Sequence, residues 1–378
     1  KMGLYPLLNQ TENRRLLGNV INNNRVAHAY LFYGPEGSGS EGFALEFAAM
    51  LNCLSKTEQP CGICQACHQM KTLEHPNLTL VFPVPAPKDS DSDDSPFKQF
   101  KEAEMEEIRQ TIQNKSRNPY DKITVKKGLH IPISFIREVK RNIYLASAST
   151  GYKVVVIFDA HLMTEQAANS FLKILEEPPA HSTFILSTSY PDNLLGTIQS
   201  RCQMLYFPPI PEDELQNYLT EKGYPAENIR LAVRLSGGNV TRLIQLIEHD
   251  LQTVKEMTLA IFTDIARWKV PKVYEHIREM VSLYREDPEN FLQLMQSLIF
   301  WIRDAELIRK GQPIEEIIHL DYIERLSGFV DKFPDFEAQN MKASVENCVD
   351  FINRNVYISL ALTEMLFKLK DQLTNHKK

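Results

Sequence analysis

Short apolar runs alternate with amphipathic stretches through the first 208 residues. Continuous apolar runs suit strands buried on both faces, whereas apolar residues recurring every three or four positions indicate helices. The predicted strands are 29–33, 78–82, 153–159, 183–187 and 204–207, and the clearest helices are 41–52, 133–146 and 164–177. Strands that alternate with helices predict an α/β domain built on a parallel sheet.

The pattern changes after Phe207, where the proline-rich segment PPIPEDE leads into helical periodicity that continues to the end of the chain. Two of the helices are separated by Gly237 and Gly238. We therefore predict three parts: an α/β domain over 1–208, a small helical domain over 209–249, and an all-α C-terminal domain over 250–378.

An acidic stretch at about 85–128 interrupts the α/β pattern. Residues 88–107 contain eight acidic residues against three lysines, and prolines and serines cluster at the start. Such a composition is typical of a solvated, partly disordered insertion. We predict one helix within it, over 98–114, and a role in partner binding stays open.

The bulk composition is that of an ordinary globular protein. The chain has 378 residues, of which 43% are hydrophobic, and a net charge of −6. That charge argues against coating nucleic acid by bulk electrostatics. Apolar runs stay well below the 18 residues that a membrane span needs. The first residues lack an apolar signal core, so we expect a cytoplasmic, non-membrane protein.

The segment GPEGSGSE at 34–41 is close to a phosphate-binding loop. Gly34 and Gly39 have the spacing of that motif, and Gly37 lies between them, but Ser40 replaces the lysine and Glu41 replaces the magnesium-binding hydroxyl. The loop has therefore lost one cation and gained one anion. A glycine-rich turn that never bound phosphate is the alternative.

A second motif of nucleotide hydrolysis is altered in the same way. The apolar run VVVIF ends at Asp159, as a Walker B strand presents its magnesium-linked carboxylate. The next residue, where oligomeric ATPases carry a water-activating Glu, is Ala160. An aspartate at a strand end is weak evidence alone. Together with the loop it indicates a nucleotide-hydrolysis fold that has stopped hydrolysing.

Four cysteines lie within fifteen residues, in the spacing C-x7-C-x2-C-x2-C: Cys53, Cys61, Cys64 and Cys67. Zinc binds four thiolates tetrahedrally, and C-x2-C turns bring paired sulfurs to one ion. We predict a closed, structural Zn²⁺ site. Reduced core cysteines are the plainer alternative, and they are what we expect of the isolated Cys202 and Cys348.

The segment TIQSRCQM at 197–204 places Ser200, Arg201 and Cys202 between two predicted strands. A surface arginine is usually only solvated. An arginine given to a neighbour's nucleotide, however, raises hydrolysis by roughly 10³–10⁵.

In this order the motifs resemble the clamp-loader branch of the AAA+ ATPases, in the bacterial DNA polymerase III system. The resemblance is carried by RVAHAYLFYGPEGSG, CGICQACHQM, DAHLMTEQAANSFLKILEEPP, STSYPDNLLGTIQSRCQ and, more weakly, FINRNVYISLALTEMLFKL. It implies an AAA+ P-loop-type domain with an inserted zinc module, a helical lid domain at 209–249 and an oligomerising collar at 250–378.

The family includes gamma or tau motor subunits, which hydrolyse ATP, and a non-hydrolysing stator. Ser40, Glu41 and Ala160 ally this chain with the stator, so that ATP is not hydrolysed here. The resemblance implies that Arg201, with Ser200 and Cys202, acts in trans on a gamma/tau-type ATPase. The implied partners are those ATPases, a delta-type subunit, and, through the assembly, the sliding clamp and primer-template DNA.

The resemblance has two departures. The acidic insertion has no counterpart in the family pattern, and Thr241, followed by Arg242, stands where active subunits carry a nucleotide-sensing arginine. Two other functions are carried forward: an active gamma/tau-like ATPase with an unorthodox loop, and a zinc-stabilised DNA-binding module, which the acidic charge disfavours.

Overall fold

Five strands form one parallel sheet in the order β2-β3-β4-β1-β5. The computed structural model describes residues 4–55, 60–85, 97, 100–125, 130–145 and 151–374. The strands are Ala29–Tyr33 (β1), Leu78–Val81 (β2), Lys153–Ile157 (β3), Ser182–Thr188 (β4) and Gln203–Tyr206 (β5). Each lies where an apolar run predicted a strand, and the predicted α/β domain with a parallel sheet is confirmed.

Helices connect the strands. They are Thr11–Asn22 (α1), Ser40–Asn52 (α2), Gln65–Lys71 (α3), Glu102–Arg117 (α4), Ile133–Tyr144 (α5), Glu165–Glu176 (α6) and Gly196–Gln199 (α7). As predicted, Thr164 caps α6, because its hydroxyl accepts a hydrogen bond from the backbone N–H of Ala167 at 3.2 Å. The prolines that follow α6 prevent its continuation.

The central strands are buried because helices cover the sheet. Every residue of β4 is buried, as are the first four of β1, whereas β5 at the edge of the sheet is largely exposed. Helix α2 is buried from Gly42 to Asn52. Its two ends are therefore fixed by packing, and these ends carry the glycine loop and the first clustered cysteine.

The later part of the described chain is helical, as predicted. Its helices are Glu212–Glu221 (α8), Ala226–Ser236 (α9), Val240–Gln245 (α10), Leu251–Arg267 (α11), Val270–Glu286 (α12), Pro288–Arg309 (α13), Ile323–Lys332 (α14), Ala338–Asn353 (α15) and Ile358–Thr374 (α16). Among the residues that the structure describes, no helix has the length and apolar character needed to cross a bilayer.

The chain divides into two compact units. The first runs to Glu214 and also includes Asn239–Thr241, and the second comprises Leu215–Gly238 and the chain from Arg242 onwards. The second unit has its own core, in which the rings of Phe262 and Trp301 stack at 5.6 Å. The division into three domains at 208 and 249 stays a prediction.

The acidic insertion is less solvated than predicted. Its helix, α4, begins and ends slightly later than the predicted 98–114. After α4 the chain is substantially buried: Tyr120 and Ile123 are 7% exposed. Residues 86–96, 98–99 and 126–129 of the insertion lie outside the described residues.

Parallel strands present their carboxyl ends at one edge of the sheet, which is where ligands bind in open α/β sheets. The glycine loop follows β1, Asp159 follows β3, and Thr188 ends β4. The backbone N–H of Gly34 donates to the carbonyl of Thr188 at 3.3 Å. The fold thus brings the glycine loop and Asp159, which lies 118 positions after Glu41, to the same edge of the sheet.

Gly34 tests this close packing. A Cβ atom added there would lie 2.0 Å from the carbonyl oxygen of Phe207, whereas one added at Gly196 would meet nothing within 4 Å. We expect Gly34→Ala to lower the free energy of unfolding by about 2 kcal/mol through overpacking. Gly196→Ala is the control and should stay within about 0.5 kcal/mol of wild type. Urea unfolding of both variants measures the difference, and equal stabilities would contradict the packing.

Candidate functional site

The glycine loop keeps the backbone shape of a phosphate-binding turn. Gly37 and Gly39 have positive φ angles of 68° and 88°, which disfavour any residue with a Cβ atom. A Cβ at Gly37 would also lie 1.9 Å from Oδ1 of Asn239. Helix α2 begins at Ser40, directly after the loop. The turn therefore has the glycine conformations of a phosphate-binding loop, with Ser40 and Glu41 at the positions where that motif has a lysine and a hydroxyl.

Glu41, in the first turn of α2, faces a buried lysine. Nζ of Lys115 lies 2.6 Å from Oε2 of Glu41, and the Lys115 side chain is fully buried. The same ammonium donates to the carbonyl oxygens of Pro119 and Asp121 at 3.2 and 2.6 Å. These three acceptors match its three N–H groups, and the Phe158 ring lies 4.9 Å away.

A second lysine bridges the loop and the end of β3. Nζ of Lys122 lies 2.6 Å from Oε1 of Glu36 and 3.9 Å from Oδ1 of Asp159. Burial lowers the pKa of Lys122, but Asp159, Glu36 and Glu41 outweigh burial and raise it overall. Burial, followed by the neighbouring Glu41, raises the pKa of Asp159 to about 6, although Lys122 and Lys115 oppose the shift.

Residues Lys115–Lys122, which we call the covering segment, pack against the glycine loop and the first turn of α2. The cavity that remains has a volume of about 20 Å³, enough for about one water molecule. Small-molecule sites are more commonly 300 Å³ or larger. The cavity is lined mainly by the loop and the covering segment: Glu36, Gly37, Gly39, Ser40, Glu41, Gly42, Pro119, Tyr120, Lys122, Ser189 and Thr241.

Thr241 lines this cavity and also contacts the covering segment. Its hydroxyl donates to the carbonyl oxygen of Tyr120 at 2.7 Å, and the backbone N–H of Val240 donates to the carbonyl of Gly37 at 3.2 Å. The neighbouring Arg242 lies in the other compact unit, where its Nε is 3.7 Å from Oε1 of Glu289.

Ala160 cannot replace a catalytic glutamate, because its methyl group is neither acid nor base. It is 1% exposed and begins a short 3₁₀ turn, residues Ala160–Leu162. The next side chain, His161, has its Nδ1 2.9 Å from the hydroxyl of Thr188. Burial lowers the pKa of His161, which keeps the ring neutral near pH 7.

Arg201 lies after α7, near the exposed edge strand β5. Its guanidinium donates to the Thr197 carbonyl at 3.0 Å and to Oε1 of Glu176 at 3.2 Å, and its side chain is 36% exposed. Ser200 closes the helix end by donating to the Thr197 carbonyl at 3.1 Å. Burial raises the pKa of Cys202 to about 12, so this thiol stays neutral.

The four clustered cysteines converge beyond the far end of α2. Cys53 follows α2, and Cys64 precedes α3, which contains Cys67. The four sulfur atoms lie within 4.8 Å of one another. Four thiolates at a Zn–S distance of about 2.3 Å would be about 3.8 Å apart in a tetrahedron, and the Cys61 and Cys67 sulfurs are 3.9 Å apart. The arrangement fits a metal ion.

Backbone hydrogen bonds support thiolates in this cluster. The N–H groups of Cys61, Cys64 and Cys67 donate to the sulfurs of Cys53, Cys61 and Cys64 at 3.3, 3.4 and 3.5 Å. Gly62 has a φ angle of 72°, which lets the chain turn between ligands. Such N–H donors are favourable partners of a charged sulfur, and a metal ion held here could take all four sulfurs as ligands.

A sequence model of the family described as "DNA polymerase III, delta subunit" matches residues 9–211. The match covers the sheet, the glycine loop, the cysteine cluster and Arg201. This chain belongs to the DNA polymerase III delta subunit family.

Individual relatives agree with this family. The delta-prime subunit of DNA polymerase III from Bacillus subtilis is 29% identical over 358 residues, which cover 94% of this chain and 95% of the relative. The delta-prime subunit from Escherichia coli is 27% identical over 234 residues, covering 61% and 58%. The tau subunit from Bacillus subtilis is 24% identical over 362 residues, covering 90% and 55%. The resemblance to subunits of the bacterial DNA polymerase III system, stated from the motifs, is confirmed.

Sequence reasoning missed the covering segment. Lys115 and Lys122 lie in a stretch that its acidic composition assigned to solvent, and neither belongs to a recognised motif. A weak signal was present: the sequence NPYDK, with Pro119 and Tyr120 beside a lysine, ends the run of acids. Nothing local, however, indicates that the loop is its partner.

The metal cluster is tested by Cys64→Ser, with Cys348→Ser as the control. Cys348 is buried in α15, outside the cluster. Because metal binding is coupled to folding, we expect the first variant to lose its metal and melt at a lower temperature. The control should keep its metal. Elemental analysis of purified protein measures this, and equal metal content in both variants would contradict the site.

The raised pKa of Asp159 predicts a pH dependence. Its pKa is about 6 in the fold and about 4 in the unfolded chain. Stability therefore falls as pH rises from about 4, and the loss is complete above about pH 7. Asp159→Asn removes this loss, so its stability relative to wild type should rise by about 1 kcal/mol between pH 5 and pH 8. Urea unfolding at both pH values measures the difference, and a difference that is constant with pH refutes the assignment.

Proposed function

We propose that this chain is a non-hydrolysing, delta-prime-like stator subunit of the DNA polymerase III clamp loader. In this role it helps to load the sliding clamp on primed DNA, and it supplies Arg201 in trans to a neighbouring ATPase subunit. Membership in the delta subunit family supports the assignment to a DNA polymerase III assembly. The residues of the glycine loop support the absence of hydrolysis by this chain.

The observation that carries the proposal is the charge of the loop. Hydrolysis of a nucleotide needs cations around the phosphates, but this loop has the carboxylates Glu36 and Glu41 and no lysine of its own. Two like charges about 4 Å apart repel by roughly 4 kcal/mol at an effective dielectric near 20. A phosphate facing Glu41 would meet that repulsion, and Ala160 offers no base to activate water.

Arg201 is suited to act outside its own chain. Its present partners are a backbone carbonyl and the exposed carboxylate of Glu176. An exposed ion pair contributes about 1 kcal/mol or less, so the guanidinium can be redirected at small cost. A planar guanidinium binds phosphate oxygens in a bidentate manner, which suits a neighbour's nucleotide.

The partners follow from this role. They are gamma/tau-type ATPase subunits and a delta-type subunit, with the sliding clamp and primer-template DNA reached through the assembly. We further propose that residues 209–249 form the lid and 250–378 the collar of that assembly, and that the assembly works in the bacterial cytoplasm at the replication fork.

The metal of the cysteine cluster is, we propose, Zn²⁺. Four thiolates are a preferred ligand set for zinc, which takes tetrahedral sulfur coordination without redox chemistry. Bound there, zinc would join Cys53 at the end of α2 to Cys61, Cys64 and Cys67 beside α3. Its contribution would be to the stability of that end of the α/β unit.

An active gamma/tau-like ATPase is the second candidate. The 24% identity to a tau subunit over 90% of this chain favours it. Ser40, Glu41 and Ala160 oppose it, because each replaces a residue type that the reaction uses. Measurable ATP hydrolysis by the isolated chain would decide for this candidate.

Arg201→Ala tests the trans-acting role in a reconstituted mixture of this chain, a gamma/tau-type subunit, a delta-type subunit, the clamp and primer-template DNA. An arginine given in trans accounts for roughly 10³–10⁵ at the site it serves. We expect the variant assembly to form but to lose the part of its DNA-stimulated ATP hydrolysis that comes from the neighbouring subunit's ATP site. Arg201→Lys should recover little, because an ammonium lacks the bidentate geometry.

The control is Arg15→Ala, since Arg15 is 75% exposed on α1 and paired only with Glu12 among the interactions described for it. The assembly that contains the Arg15→Ala variant should hydrolyse ATP at the rate of the wild-type assembly. Full activity of the Arg201→Ala assembly would refute the arginine finger and leave a scaffold role.

A further inference from the structure

We propose that the covering segment, Lys115–Lys122, is a permanent internal ligand of the glycine loop, occupying the place of a nucleotide and its cation. The proposal deepens the stator function and rests on it in one respect: both require that this chain does not turn over ATP. It goes further in stating what fills the site and why nucleotide stays out.

The first argument is charge complementarity, in which the signs of loop and ligand are opposite to those in a working phosphate-binding loop. A working phosphate-binding loop supplies cations to an anionic ligand. Here the loop and the strand end supply anions, Glu36, Glu41 and Asp159, and the segment supplies two ammonium groups. Lys115 contacts Glu41 at 2.6 Å, and Lys122 contacts Glu36 at 2.6 Å.

The second argument is shape. The segment packs against the glycines that open α2, where phosphates would approach the backbone N–H groups. A Cβ atom on Gly42 would lie 2.8 Å from Cβ of Pro119, and one on Gly39 would lie 3.4 Å from the ring of Tyr120. The hydroxyl of Tyr120 is anchored by the backbone N–H of Leu8 at 2.8 Å.

The third argument is how completely the segment is held. Lys115 satisfies all of its donors, and the carbonyl of Tyr120 accepts from Thr241 at 2.7 Å. Thr241 stands at the nucleotide-sensing position of the family pattern. Loop, segment and Thr241 are therefore joined without nucleotide, and we infer that their geometry stays constant while partner subunits exchange ATP and ADP.

Stability tests the charge pair through Glu41→Gln, Lys115→Met and the double variant. Removing one partner of a buried pair leaves an uncompensated charge, so each single variant should lower the folded-to-unfolded ratio by about 100-fold or more. The double variant should lose less than the two single losses combined. Lys368→Met, which breaks an exposed pair with Glu364, is the control and should change the ratio less than about 5-fold. If Glu41→Gln changes the folded-to-unfolded ratio as little as this control does, the stabilising ion pair between Lys115 and Glu41 is refuted.

Nucleotide binding tests the occlusion, with MgATP as the probe and isothermal titration calorimetry as the measurement. Three proteins are compared: wild type, the restored loop Ser40→Lys/Glu41→Thr/Lys115→Met, and the same triple variant with Tyr120→Gly and Lys122→Ser. The restored loop has the residues that phosphate needs but keeps Pro119 and Tyr120 in place. We call this five-substitution protein the opened variant. We expect it to bind MgATP at concentrations of 1 mM or below, and we expect no binding by wild type or by the restored loop.

Three outcomes would overturn the internal ligand: binding by wild type, equal binding by both restored loops, or no binding by the opened variant when circular dichroism shows it folded. If the opened variant does not fold, hydrogen exchange on wild type decides. The amides of 34–41 should be protected and unchanged by MgATP, and Tyr120→Gly alone should expose them. Unprotected amides, or protection added by MgATP, contradict the proposal.

Failure here is distinguishable from failure of the stator function. MgATP binding by wild type without hydrolysis would remove the internal ligand but leave the stator role, which the partner ATPase assay measures independently. Loss of the Arg201 effect would remove the trans-acting role but leave the covering segment unaffected.

Discussion

The ion pair between Lys115 and Glu41 is the interaction on which the altered loop depends. A carboxylate at the first turn of a helix is favoured by the helix dipole, but partial burial beside Asp159 and Glu36 would make it costly without a cation. Lys115 supplies that cation from inside the fold, with its other donors satisfied by two carbonyls. The loop can therefore hold its shape with Glu41 in it.

Helix α2 connects the two sites of the α/β unit. Its first turn carries Glu41, and Cys53 follows its last residue. At 1.5 Å per residue, thirteen residues span about 20 Å, and most of that length is buried. A metal held by the cysteine cluster would thus stabilise the far end of the helix whose near end meets the covering segment. The two sites act on one rigid element.

The local part of the structure could be predicted from sequence because its causes are local. Buried parallel strands need continuous apolar runs, and a helix cap needs a residue such as Thr164 at the right position. The cysteine cluster was equally accessible, because tight spacing by itself brings Cys61, Cys64 and Cys67 together. The altered loop was recognisable because the spacing of Gly34 and Gly39 survives where the lysine and hydroxyl do not.

The partner of that loop was beyond sequence reasoning. Lys115 is 74 positions from Glu41 and follows the run of acids in the insertion, a segment that we predicted to be largely solvated. Its hydrogen bonds to Pro119 and Asp121 are local, but the contact with Glu41 forms only when the fold brings the end of α4 to the start of α2. Spacing and periodicity therefore predicted the elements, the family resemblance and the candidate metal ligands. Tertiary packing alone decided what fills the loop, because the charges that compensate one another there come from distant parts of the chain.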